Sequence, residues 1–128
     1  PKITDGDTIR IGNARIRFHG IDAPEVRQKC EVNGRQWNCG EAATKALTDV
    51  IRDKEVSCSK RDLDRYKRII AVCRVGSLEL NAWMVENGWA VAYRRYSKDY
   101  INDEQKAKVG RRGIWRGTFE MPWNWRRR

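Results

Sequence analysis

Two short acidic motifs hold the residues best suited to chemistry. Asp5-Gly6-Asp7-Thr8 places two carboxylates around a glycine at the entry to an alternating run, and Asp22-Ala23-Pro24-Glu25 places two more just past the end of the next run. Each motif alone is ordinary, since Asp-Gly is common turn chemistry and Asp-Ala-Pro-Glu reads equally well as a helix cap or a loop. If the two runs pair, however, the four acids converge. Mutually repelling carboxylates cost stability unless a cation or a reaction compensates, which favours a hard metal ion bound through oxygen. Arg17 and Arg68 can complement them: a guanidinium fork grips phosphate bidentately and counters charge that builds up on phosphorus in a transition state. Standing alone, the same arginines would be surface salt-bridge partners.

The elements that must position these residues follow from periodicity. Residues 7–11 and 15–19 alternate with period two around Gly12-Asn13, a hairpin signal that puts Ile16 and Phe18 on one face and Arg17 on the other. Ala43, Ala46, Leu47, Val50 and Ile51 recur at helical spacing and predict a helix over about 41–52. A second hairpin is expected with arms 55–60 and 68–75 and residues 62–67 as its loop. A short helix over 80–87, with Asn81 as a candidate cap and Gly88 as its stop, and a last helix over about 99–112 complete the order. Strands, helix, strands, helices in one domain of 128 residues suit an α+β fold, a small five-stranded OB-type β-barrel covered by about three helices.

Lys plus Arg number 27 against 17 Asp plus Glu, a net charge of +10, so the field attracts polyanions, nucleic acid first among them. High charge also serves mere solubility. No segment approaches the ~20 consecutive apolar residues of a membrane span. With His19 the one histidine and no CxxC pair, a zinc site is disfavoured. The four cysteines suit two disulfides and an oxidising compartment, or else four reduced buried thiols. In the disulfide reading, Cys30 pairs with Cys39 across an Asn- and Gly-containing loop, and Cys58 with Cys73 across the second hairpin.

The order and spacing of Asp5-Gly6-Asp7-Thr8, Arg17, Ile21-Asp22-Ala23-Pro24-Glu25 and Asp64-Arg65-Tyr66-Lys67-Arg68 resemble the signatures of the staphylococcal nuclease family. The resemblance continues through Leu80-Asn81, Met84-Val85, Gly88-Trp89-Ala90, Ala92-Tyr93 and Gly113-Ile114-Trp115. It implies a nuclease of DNA or RNA that needs calcium (Ca2+) and leaves 3′-phosphate products. Carried over by position, Asp7, Asp22 and the Ala23 carbonyl would hold calcium, with Asp5 behind them. Glu25 would act on the attacking water, and Arg17 and Arg68 would bind phosphate. Tyr66 and Tyr93 match tyrosines near the nucleotide, and Arg65 is counted with them as substrate-binding. A secreted or periplasmic monomer is expected.

Three departures stand out. Ala23 replaces a threonine of the best-known member. Lys67 replaces the usual glycine before Arg68, where glycine often supplies positive φ. Only residues 1–4 precede the first acidic motif, so part of the barrel's first strand is expected to be absent. Trp115 and the basic tail over 116–128, with Trp123, Trp125 and Arg126 to Arg128, could stack bases and bind phosphates as single-strand readers do, but the commoner outcome is tryptophans packed on the domain and arginines in water. Residues 93–96, Tyr-Arg-Arg-Tyr, are candidates for substrate contact. Trp83 and Met84 are expected in the core, and His19 is expected to face away from the site. A non-catalytic OB module and a calcium-stabilised structural domain are the rival readings. The first leaves the acids unexplained, the second the arginines.

Overall fold

A computed structural model describes residues 1–127; Arg128, the last residue of the basic tail, lies outside them. The first hairpin forms as the alternation requires, with β2 (Thr8–Ile11) and β3 (Ala14–Phe18) paired antiparallel so that Thr8 faces Arg17 and Ile9 faces Ile16. Ile9, Ile16 and Phe18 enter the core. Ahead of them, β1 (Lys2–Asp5) pairs with β2, and its register shifts between Ile3 and Asp5. The first strand is thus four residues long.

The remaining strands are β4 (Ile21–Asp22), β5 (Cys30–Val32), β6 (Arg35–Trp37), β7 (Ser57–Leu63), β8 (Ile69–Val75), β9 (Leu78–Glu79) and β10 (Val91–Ala92). The main sheet runs β1-β2-β3-β8-β7, with β9 added beside β8, and its single parallel contact is β3 against β8. The α+β class is as expected, but the sheet is left open rather than closed into a five-stranded barrel. β7 also runs on to Leu63, into the segment expected as loop, through a register shift between Lys60 and Asp62. Two small pairs, β4 with β10 and β5 with β6, complete the strands.

Helix α1 (Cys39–Ile51) buries Ala43, Leu47 and Ile51 against the sheet, the stripe its spacing anticipates. Helix α2 (Leu80–Glu86) buries Leu80, Met84 and Val85 and stops before Gly88, which has φ +79°. Asn81 is not its cap. Its buried amide instead donates to the carbonyls of His19 and Ala71, and its oxygen accepts from the Cys73 N–H, which ties β3 and β8 to the helix. Helix α3 (Ile101–Gly110) and a one-turn helix α4 (Pro122–Trp125) follow, the latter after a 3-10 turn over Gly113–Arg116.

Cys58 is bonded to Cys73 across the β7–β8 ladder, and Cys30 to Cys39 across the β5–β6 hairpin, whose turn is Asn33-Gly34. A second apolar cluster forms around Cys30, Cys39, Val91 and Ile114, flanked by Trp37, Trp115, Phe119, Met121 and Trp123. Most of the tail's aromatic surface is spent there. No helix among the described residues is long and apolar enough to cross a membrane.

Candidate active site

The acids of the first motif sit where β1 turns into β2. Gly6 makes the turn possible, because a Cβ there would stand 2.8 Å from the Ala23 Cβ. The Asp7 carboxylate is buried and accepts hydrogen bonds from the Ala23 N–H at 2.7 Å and the Thr8 hydroxyl at 2.9 Å. One motif thus grips the other through its backbone. Asp5 accepts from the Asp7 N–H at 3.0 Å and stands beside the Asp7 carboxylate.

Between Asp7 and Asp22 lies Arg17, only 13% exposed, with contacts of 3.2 Å to Asp7 and 3.4 Å to Asp22. These charges set one another. Burial would raise the Asp7 pKa, but the Arg17 charge and its hydrogen bonds together hold it below the usual carboxylate range. Asp5, by contrast, is pushed up to about 8 by burial and then by the Asp7 charge. Asp22, fully buried, is raised to about 6 by burial, against hydrogen bonds from an arginine described below. Three neighbouring carboxyls therefore carry different proton loads near neutrality.

Glu25 is placed by backbone. Its N–H donates to the side chain of Gln28 at 3.3 Å, and its carbonyl accepts from the Gln28 N–H at 2.8 Å. Gln28 is itself fully buried and donates to the Glu120 carbonyl at 2.7 Å. The start of α1 presses on the same turn: a Cβ at Gly40 would lie 1.7 Å from the Glu25 carbonyl oxygen, so only glycine fits. The Cys30–Cys39 bond closes the intervening segment.

The opposite wall is the β7–β8 turn. Asp64 accepts from the N–H groups of Tyr66 and Arg68, both at 2.9 Å, and from Arg68 Nε at 2.8 Å. Lys67 takes φ +63°, the conformation in which the family's glycine would be at ease. Arg65 donates to the Tyr66 hydroxyl at 3.0 Å, and Arg65 and Arg68 both lie over the Tyr66 ring. Arg15 donates to the Tyr66 carbonyl and joins this turn to the first hairpin. The parallel register opposes Arg17 to Ile70, two residues after Arg68, so both arginines face the same side of the sheet.

That side is a cleft of about 800 Å³ lined by Arg17, Arg65, Tyr66 and Arg68, and also by Arg61, Arg95 and Tyr96. The structure thus gathers Asp5, Asp7, Asp22 and Glu25 near Arg17, and sets Arg65, Tyr66 and Arg68 along the cleft that Arg17 also lines. Arg68 reaches Asp64 rather than the acid cluster. His19 lines the cleft, contrary to expectation, with its Nε2 3.1 Å from Asp99. Of residues 93–96, Arg95 and Tyr96 reach the cleft, whereas Arg94 turns to the buried Glu104 at 2.6 Å. Tyr93 packs between Tyr96 and Trp123.

One site residue has no sequence signal at all. Arg126 places Nη1 2.9 Å from Asp22 Oδ1 and 2.9 Å from Glu25 Oε1, and Nη2 2.8 Å from Asp22 Oδ2. An arginine expected to be solvated is thus seated on the acids. Arg61 is likewise legible only as one more basic residue.

Among the described residues, no three His, Cys, Asp or Glu side chains converge as a metal shell. The donor set nevertheless fits a divalent cation that completes its coordination with carbonyl, water and phosphate oxygens: Asp22 and Glu25 already hold a cationic group in the form of the Arg126 guanidinium.

The chain is similar to known proteins over most of its length. The chain is 34% identical over 122 residues to the succinoglycan biosynthesis protein ExoI of Rhizobium meliloti, covering 92% of this chain and 64% of that protein. It is 34% identical to a Haemophilus influenzae protein described as an uncharacterized endonuclease, covering 98% of this chain and 70% of that one. To the micrococcal nuclease of Shigella flexneri it is 33% identical, with 98% and 78% covered. It spans only about a third of two rice proteins described as probable staphylococcal-like nucleases. The model of the family "Staphylococcal nuclease homologue" matches residues 15–117, a stretch that carries Arg17, Asp22, Glu25 and Arg68 and leaves Asp5, Asp7 and Arg126 outside. With that match over most of its length, the chain belongs to the staphylococcal nuclease family.

Proposed function

We propose that this chain is a calcium-dependent nuclease that hydrolyses phosphodiester bonds in DNA or RNA. The observation that carries the reading is the pairing of Asp7 and Asp22 through Arg17, an arginine that also lines a cleft together with Arg68. Asp7, Asp22 and the Ala23 carbonyl would hold the ion, and Asp5, protonated near neutrality, would brace Asp7. When bound, calcium supplies neutralisation of phosphate charge and orientation of water.

The chain's own residues do the rest. Glu25, at the mouth of the acid cluster, accepts the proton of the attacking water. Arg17 and Arg68 donate to the phosphate oxygens as charge grows on them, and both retain N–H groups beyond those used here. Tyr66, Arg65 and Tyr93 contact the nucleotide, with Arg61 and Arg95 along the strand's path. Water attack in line with the 5′-oxygen leaving group yields a 3′-phosphate, the outcome the family resemblance implies. The two disulfides and the lack of a membrane-spanning helix among the described residues support a secreted or periplasmic site of action, and the reading is of a monomer.

Two isosteric changes test the assignment. Asp22→Asn removes a charged ligand, weakens calcium binding in calorimetry and leaves cleavage partly recoverable with excess calcium. Glu25→Gln keeps calcium binding but lowers turnover by roughly 10²- to 10⁴-fold, and added calcium does not restore it. Near wild-type turnover of Glu25→Gln at saturating calcium removes the base assignment, and full cleavage by the wild type in chelator removes the metal.

A further inference from the structure

The C-terminal segment lies in the site just described, and it covers two positions at once. Arg126 takes both oxygens of Asp22 and one of Glu25. Three residues earlier, Trp123 stacks on Tyr93 with ring centres 4.9 Å apart and planes inclined by 12°. A flat aromatic on Tyr93 and a cation on Asp22 are what a nucleotide base and a metal ion would supply. Both come from the single turn of α4 and the residue after it.

Upstream, the segment is fastened. Gln28 holds the Glu120 carbonyl, and Phe119 and Met121 pack against the second apolar cluster. Beyond Met121 the attachments are the buried Pro122, the packing of Trp123 on Tyr93 and on the edge of the second apolar cluster, the guanidinium contacts and the local hydrogen bonds of one helical turn. The Arg126 side chain is 36% exposed, so it can leave without unpacking the core.

We propose that residues 123–127, hinged on the buried Pro122, form a displaceable plug that occupies the cation and base positions, so that a divalent cation must compete with Arg126 for Asp22. The inference rests on the reading that Asp7 and Asp22 bind such a cation. Both Asp22 oxygens are engaged by Arg126, and one also by Arg17, so a metal ion at that carboxylate competes with the guanidinium for the same oxygens. The affinity measured for the ion is then the intrinsic affinity reduced by the fraction of molecules with the plug out.

Calorimetric titration of calcium chloride into wild type, Arg126→Ala and Arg127→Ala tests this. Arg127→Ala removes the same charge one residue along and controls for the general field. The expected result is a dissociation constant at least tenfold lower for Arg126→Ala and within about twofold of wild type for Arg127→Ala. Hydrogen exchange at the amides of Trp125 and Arg126, which bond to Met121 and Pro122, is expected to accelerate in wild type at saturating calcium. Equal calcium affinity in wild type and Arg126→Ala, an equal gain in Arg127→Ala, or unchanged exchange of the tail overturns the plug and leaves the cation reading standing. Absence of calcium binding in all three proteins overturns the cation reading and the plug with it.

Discussion

Replacing Arg17 with methionine keeps the length of the side chain while removing the charge that Asp7 and Asp22 share. Both carboxylates are buried, so neither can recover its lost partner from water. The cheapest relief is uptake of one proton by Asp7. Exchanging a buried ion pair for neutral groups is itself nearly neutral, which leaves the work of protonating a carboxyl whose pKa in the unfolded chain is about 3.9. At pH 7 that work is about 4 kcal/mol, and at pH 5 about 1.5 kcal/mol, from ~1.4 kcal/mol per pH unit.

In wild type the Asp7 pKa lies below the ordinary value, so Asp7 is ionised in both folded and unfolded states across this interval. The folded variant carries one proton more than folded wild type while the two unfolded chains carry the same number, so its stability relative to wild type falls as pH rises from 5 to 7. Urea unfolding followed by tryptophan fluorescence, in chelator and with disulfides intact, gives the difference at each pH. A loss under about 1 kcal/mol at pH 7, or an equal loss at pH 5, refutes the account of Arg17 as the charge that keeps Asp7 ionised.

Asp5 titrates in the opposite sense. Because folding raises its pKa from 3.8 to about 8, the metal-free protein loses stability as pH rises between those values, and Asp5→Asn flattens that decline in melting temperatures recorded from pH 5 to 8 in chelator. Lys67→Gly relieves a left-handed conformation at the β7–β8 turn and is expected to raise stability by up to about 1 kcal/mol in the same melts, with turnover unchanged if Arg68 keeps its place. Gly40→Ala drives a Cβ into the Glu25 carbonyl, so turnover should drop by about 10²-fold or more while calcium affinity changes far less.

Local rules made the first hairpin and α1 legible, because their apolar residues repeat with one period, and Gly88 and Gly113 marked where the later helical segments give out. Ile9, Ile16 and Phe18 behave as alternation requires, and Arg17 faces away from them. Where tertiary contact overrode local preference, the reading slipped. Asn81 has the chemistry of a cap, yet its amide is buried and bonded to three backbone groups of the neighbouring strands and turn. The β5–β6 hairpin was hidden in a segment too short and polar to show a period, although Asn33-Gly34 is a turn pair. Gln28 carries no signal, since its importance lies in bridging two distant backbones. Arg126 was invisible for the same reason. Its partners are more than a hundred residues away, and nothing in a run of arginines says which one will turn inward.

The parallel contact between β3 and β8 also bears on how fast the site comes into being. Every other pairing in the main sheet joins strands that follow closely along the chain, whereas Ile16 meets Ile69 only after about fifty intervening residues have been looped out. Closing a loop of that length costs about 3.5 kcal/mol of chain entropy before the contact returns anything. The same contact sets Arg17 and Arg68 on a common face, so a chain that has made its hairpins and helices but not this pairing holds its two arginines apart. Recovery of cleavage during refolding should therefore lag recovery of helix signal, and follow the slow closure that sets the rate of acquiring the sheet.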